Sequence, residues 1–209
     1  MKTALVAFAV ALSFSVPAAA GSGIDQIPNG PGQMYGREAP PVYIPSERSR
    51  CFDRRLAAAE RLQHCDQALK AGHDTDRIQI AIASIFLENG HPDLAAPIYD
   101  RLLAAVPGNS AALIGRCRLR ALRGKDLDGA AQDCGKAAGD SMGEPDFLIA
   151  EGLLLYRQGH LEDALKDFNA ATRAKLKSPD AFFMRGLIER RQGAAYGDGD
   201  IQSAVALSR

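Results

Sequence analysis

The 209-residue sequence predicts an all-α fold, a solenoid in which antiparallel helix pairs repeat about three to four times. Two observations lead there. The chain has no Trp and only 6% aromatic residues, while Ala and Leu are abundant, a mixture that suits close-packed helices better than a β-sandwich. It also repeats itself. Pro145 and Pro179, Asp146 and Asp180, Gly152 and Gly186, and Arg157-Gln158-Gly159 and Arg191-Gln192-Gly193 coincide at an offset of 34 residues. A repeat of that length is one supersecondary unit that buries its apolar face only by stacking on its neighbours.

The elements follow in order. Residues 1–20 read as a secretory signal: Lys2, an apolar run from Ala4 to Val16, and the small residues Ala18-Ala19-Ala20 with cleavage after Ala20. The run is shorter than the roughly 20 residues of a spanning helix, so no membrane span is expected after signal removal. A periplasmic or secreted protein is therefore expected, in a compartment that permits disulfides. Residues 21–45 carry Gly and Pro every few positions and no apolar periodicity, the pattern of a flexible leader. Within it Pro40-Pro41-Val42-Tyr43 matches a short ligand motif of WW domains, read as coincidence in an exported chain.

Residues 46–75 form an irregular first helical repeat, and four more follow at about 76–109, 110–144, 145–178 and 179–209. Gly90, Gly124 and Gly159 are placed to end the first helix of a pair in the left-handed conformation. Pro145 and Pro179 are placed to open helices, where no N–H is needed. One period before Ala164, Asp167 and Ala171 stand Ala130, Asp133 and Ala137.

The segment "GLLLYRQGHLEDALKDFNAA", with Gly152, Gly159, Ala164, Phe168 and Ala171, resembles the tetratricopeptide repeat family. The likeness covers residues 76–209 well and 46–75 in part. It implies a right-handed α-solenoid whose first helices line a concave groove for a protein or peptide. Some positions depart from the pattern. Asp198 stands where the alanine of the last repeat belongs, and an apparent insertion from Gly193 to Asp198 moves that role to Ala204. One extra residue lies between Gly124 and Ala130, and Arg116 and Glu151 replace large apolar residues.

In this register Cys117 lies in a first helix and Cys134 takes the place of Phe168 in a second. Both face one seam, where a disulfide is expected and would stabilise by about 3 kcal/mol. Two free buried cysteines are the alternative. Cys51 and Cys65 would lie about 21 Å apart along one continuous helix; their pairing requires a break between them and would staple the first repeat. A metal site is not expected: His64, Cys65, Cys51 and His73 lack ligand spacing. A redox pair would show C-x-x-C, which is absent.

The implied groove carries Ile80, Ser84 and Leu87, then Ile114 and Arg118, then Ile149, Leu153 and Tyr156, then Phe183 and Leu187, and reads as largely apolar. A one-residue error of register would place some of these in the core. Arg116, Arg120 and Arg123 form a separate stripe read as a solvated edge, or a contact for an acidic partner. Gly139-Asp140-Ser141-Met142-Gly143 fits G-x-S-x-G, but a serine hydrolase needs a strand before Ser141, and the preceding residues read as helix. No enzyme activity and no cofactor are expected.

Twenty-five basic residues balance 25 acidic ones, so no net field attracts nucleic acid. The expected function is an exported non-enzymatic scaffold or adaptor for a protein or peptide partner. The alternative is a chaperone-like holder of unfolded apolar segments, or a structural assembly factor. The last helix, near "DIQSAVALSR", shows no polar closing face, which suggests a homodimer through that end.

Overall fold

The computed structural model describes residues 46–174, 178–194 and 197–208; the expected signal peptide and the leader with its Pro40–Tyr43 motif lie outside them. The described residues form ten α-helices and no strand. The first two are α1 (Glu47–Cys51) and α2 (Ala58–Lys70), followed by α3 (Thr75–Glu88) and α4 (Pro92–Ala105). Next come α5 (Ser110–Arg123), α6 (Leu127–Ser141), α7 (Pro145–Gln158) and α8 (Leu161–Arg173), and last α9 (Pro179–Arg191) and α10 (Gly197–Leu207). Each odd-numbered helix packs on the even-numbered one that follows it, and α3, α5, α7 and α9 pack successively on one another. Among the described residues α4, α6, α8 and α10 make no such mutual contacts, so the first helices of the pairs form the inner row of the solenoid.

Local chemistry explains the boundaries. Asn109 and Asp126 cap α5 and α6 by accepting from the N–H groups of Ala112 and Gly129, both at 3.1 Å. Pro92, Pro145 and Pro179 open α4, α7 and α9, where a missing donor costs nothing. Gly124 closes α5 with φ +62°, and its N–H and that of Lys125 return to the carbonyls of Ala121 and Arg120. The break between α1 and α2 has its own cause. Asp53 accepts from both the backbone and the guanidinium of Arg55, which turns the chain before α2 begins.

Small residues set the separation of the paired axes. A methyl added to Gly152 would lie 3.0 Å from the Phe168 ring, so that ring of α8 rests directly on the backbone of α7. In the last pair a methyl on Gly186 would lie 2.6 Å from the Gly197 carbonyl oxygen. Gly197 therefore holds the small position that the sequence assigned to Ala204. Ala204, also buried, takes the place that Ala171 has in the preceding pair. The insertion is accommodated before α10, which lets the last hairpin close on two glycines. Between pairs, the fully buried Tyr99 of α4 packs on Gly115 of α5.

Two disulfides join the helices. Cys117 of α5 bonds Cys134 of α6 with Cα atoms 5.6 Å apart, and Cys51 bonds Cys65 across the α1–α2 break with Cα atoms 4.7 Å apart. Bound to one another, Cys51 and Cys65 have no thiolate to offer a metal. Among the described residues no helix is long and apolar enough to cross a membrane.

A charged concave face as the candidate binding site

The inner row opens onto a cavity of about 740 Å³ that joins a smaller one of about 460 Å³. Arg54, Arg61, Glu88 and Asp146 line both. The larger extends to Arg118, Ile149, Ser178 and Asp180, and reaches Leu207 and Ser208 at the end of α10. The smaller extends to Phe52, Asp76, Arg77, Ile80 and Ser84.

Ion pairs between separate helices hold this lining. Arg61 of α2 is buried; its Nη1 donates to Glu88 of α3 at 3.2 Å and its Nε to the Cys51 carbonyl at 3.4 Å. Arg54 reaches the other oxygen of Glu88 at 3.4 Å. Glu88 thus ties the stapled first pair to the second. Arg118 of α5 passes beside α7 to pair with Asp180 in the first turn of α9, while its Nε is buried without a protein acceptor. Arg77 lies 5.3 Å over the Phe52 ring, a cation–π contact at the rim.

Of the ten residues expected in the groove, Ile80 and Ser84 line the smaller cavity and Arg118 and Ile149 the larger. Leu87, Ile114 and Leu153 are only 6, 6 and 4% exposed and belong to the core between pairs. The reason is geometric. A first helix packs on its own partner and on the first helices either side, so only a narrow stripe remains open. Tyr156 and Leu187 are half-buried and Phe183 is exposed, and none of the three lines either cavity. The expectation of a largely apolar groove gives way to a mixed lining, in which arginines and carboxylates stand among apolar residues such as Phe52, Ile80 and Ile149.

The arginine stripe is corrected too. Arg116 and Arg120 both bind Asp133 of α6, whose side chain is 3% exposed, and Arg123 pairs with Asp93 of α4. The hydrogen bonds to Asp133 hold the Arg116 guanidinium even more firmly charged than usual. Arg116 and Arg120 are internal clamps, whereas Arg123 is exposed and meets an exposed carboxylate, so only its end of the stripe is a solvated edge. Ser141 is the last residue of α6 and is buried, with no strand before it to form a nucleophile elbow.

Sequence reasoning missed Arg54, Arg61, Glu88, Asp146 and Asp180. The recurrence of Asp146 and Asp180 one period apart, each after a helix-opening proline, was the available signal. Arg54 and Arg61 come from the irregular first pair and carry no repeat signature.

The tetratricopeptide repeat model matches residues 80–145 and 149–206. No curated protein matches the chain. Among solved structures, MamA from Desulfovibrio magneticus RS-1 is 14% identical, with 77% of this chain and 90% of that one covered and a TM-score of 0.47. Another MamA crystal structure is 12% identical over 79% of this chain and 96% of that one, with a TM-score of 0.45. Likenesses this distant speak to neither partner nor activity. The repeat model covers more than half of the chain, and the chain belongs to the tetratricopeptide repeat family, whose arrays are protein-interaction scaffolds.

Proposed function

We propose that this chain is an exported, non-enzymatic adaptor that holds an extended segment of a protein partner against the concave face. The observation that carries this reading is the lining itself: arginines and carboxylates from α2, α3, α5, α7 and α9 converge on one cavity, and those of α2, α3, α5 and α9 are held by ion pairs between helices. Groups fixed before binding lose little entropy on contact, which favours a selective partner. An extended segment presents backbone donors and acceptors and alternating side chains, which suits a lining of both signs. A holder of unfolded apolar segments would want an open apolar surface, and the apolar residues of the inner row are largely committed to the core.

The test is in-cell cross-linking with mass spectrometry on wild type beside Asp146→Lys. Asp146 is exposed and lines both cavities, so this change reverses a charge without opening the core. A dominant partner captured by wild type and lost in the variant supports the adaptor. A broad set of captured proteins, unchanged by the variant, removes it.

A further inference from the structure

The seam inside each helix pair repeats one arrangement with changing chemistry. In α5–α6, Asp133 stands between Arg116 and Arg120, at 2.8 and 2.6 Å. In α9–α10 the equivalent aspartate is Asp200, held by Arg185. In α3–α4 the matching places hold Ile82, Phe86 and Ile98, all apolar and partly buried. In α9–α10 Glu189 takes the place of Arg120, and only α7–α8 keeps the aspartate with neither arginine. Its aspartate is Asp167, but Glu151 and Leu155 stand where Arg116 and Arg120 stand in α5–α6.

Asp167 is held in that seam. A methyl on Gly152, the residue next to Glu151, would lie 3.3 Å from Asp167 Cβ, and Asp167 Oδ2 is buried with no hydrogen-bond partner. The surrounding charges do not replace the missing arginine. On α8, Lys166 is bound to Asp163 at 2.7 Å. On α9, Arg185 is committed to Asp200, Asn169 and Thr172. On α5, Arg116 and Arg120 are committed to Asp133, and on α6 Lys136 and Asp140 are exposed. On α7 itself Glu151 is partly buried next to Gly152, and Arg157 turns to the carbonyls of Ala121 and Leu122.

We propose that the α7–α8 seam is a pH-responsive joint: Glu151 and Asp167 close on one shared proton, and its loss sets two carboxylates against each other and loosens this hairpin within the array. A proton between them gives the orphaned oxygen a donor or an acceptor in place of the absent guanidinium. Burial raises Glu151, and burial with the nearby Glu151 charge raises Asp167 to about 7. The folded chain therefore holds a proton that the unfolded chain releases at about pH 4. The stability it contributes is fully present below that value and is lost as pH rises through about 7. Most structural carboxylates behave in the opposite sense.

Two measurements test this on the full chain after signal removal. Carboxyl-carbon NMR titration of wild type reads the pair directly: a step near neutrality assigned to Asp167 is expected, and a step in the ordinary carboxylate range overturns the proposal. Urea denaturation at pH 5, 6, 7 and 8 reads its consequence, comparing wild type with Asp167→Asn and Glu151→Arg. The wild-type midpoint should fall as pH rises. The fall should be smaller in Asp167→Asn and smallest in Glu151→Arg, which recreates the pair of α5–α6; what remains belongs to Glu189. Glu189, which burial and the nearby Asp200 charge also raise, is common to all three proteins, so an equal fall in all three places the effect outside the α7–α8 seam and overturns the proposal.

Discussion

Arg116 grips Asp133 with a two-pronged fork, Nε to one carboxylate oxygen and Nη2 to the other, both at 2.8 Å. The fork crosses the same α5–α6 seam that the Cys117–Cys134 disulfide closes. Charge and covalent bond thus act on one hairpin. Removing one arm of a buried pair costs more than replacing both, because the remaining charge loses its partner. Arg116→Ala should lower stability by about 3 kcal/mol, softened from the upper range by Arg120, which still reaches Asp133. Arg116→Met with Asp133→Leu should cost much less. Urea unfolding of the two proteins decides this, and equal losses would count against the account.

The disulfides make a separate prediction. All four sulfurs belong to buried residues, so a mild reductant should not reach them until the chain unfolds. Cys117→Ala with Cys134→Ala should destabilise by about 3 kcal/mol, from the loop-closure entropy restored to the unfolded chain. Thermal unfolding with and without reductant, alongside non-reduced peptide mapping, measures both effects.

The glycine contact of the last pair predicts a local failure. In Gly186→Ala the new methyl meets the backbone carbonyl of Gly197, which cannot swing aside as a side chain would. Overpacking of this kind costs about 1–3 kcal/mol. Hydrogen exchange should speed up along α9 and α10 and remain slow in α5 and α6. Uniformly faster exchange would mean that the last pair does not unfold on its own.

Arg157 links two neighbouring pairs by donating to the carbonyls of Ala121 and Leu122, at 2.9 and 2.8 Å. Both are end carbonyls of α5 that lack the usual donor four residues on, and that of Ala121 also accepts from the Gly124 N–H. Arg157→Ala should cost about 1 kcal/mol because the side chain is exposed and water can replace it. Arg157→Lys should recover only part of that, since one ammonium cannot match a planar fork at two carbonyls.

Much of the fold was legible because its signals are local. Prolines at helix starts, glycines at helix ends and alanines at the seams recur at a fixed period, and each acts within a few residues of itself. The last pair was harder, since the insertion hid Gly197 as the partner of Gly186. The concave face was less legible for a different reason. Arg118 and Asp180 are 62 residues apart, and Arg61 and Glu88 join a pair outside the regular repeat to one within it. Arg116 and Arg120 looked exposed, like Arg123, because their buried acceptor Asp133 lies on α6. Helical spacing shows that such residues share a face. It does not show what covers that face.

The central claim is that a partner lies along the inner row of helices. Its most direct measurement places a photo-activated cross-linking residue at Ile80 or Asp146 on the concave face, and at Lys136 on the exposed side of α6, in living cells. The account predicts one shared protein adduct from the two inner positions and none from the outer one. Adducts that form equally at Lys136, or that join the inner positions only to residues 21–45 of the same chain, would contradict it.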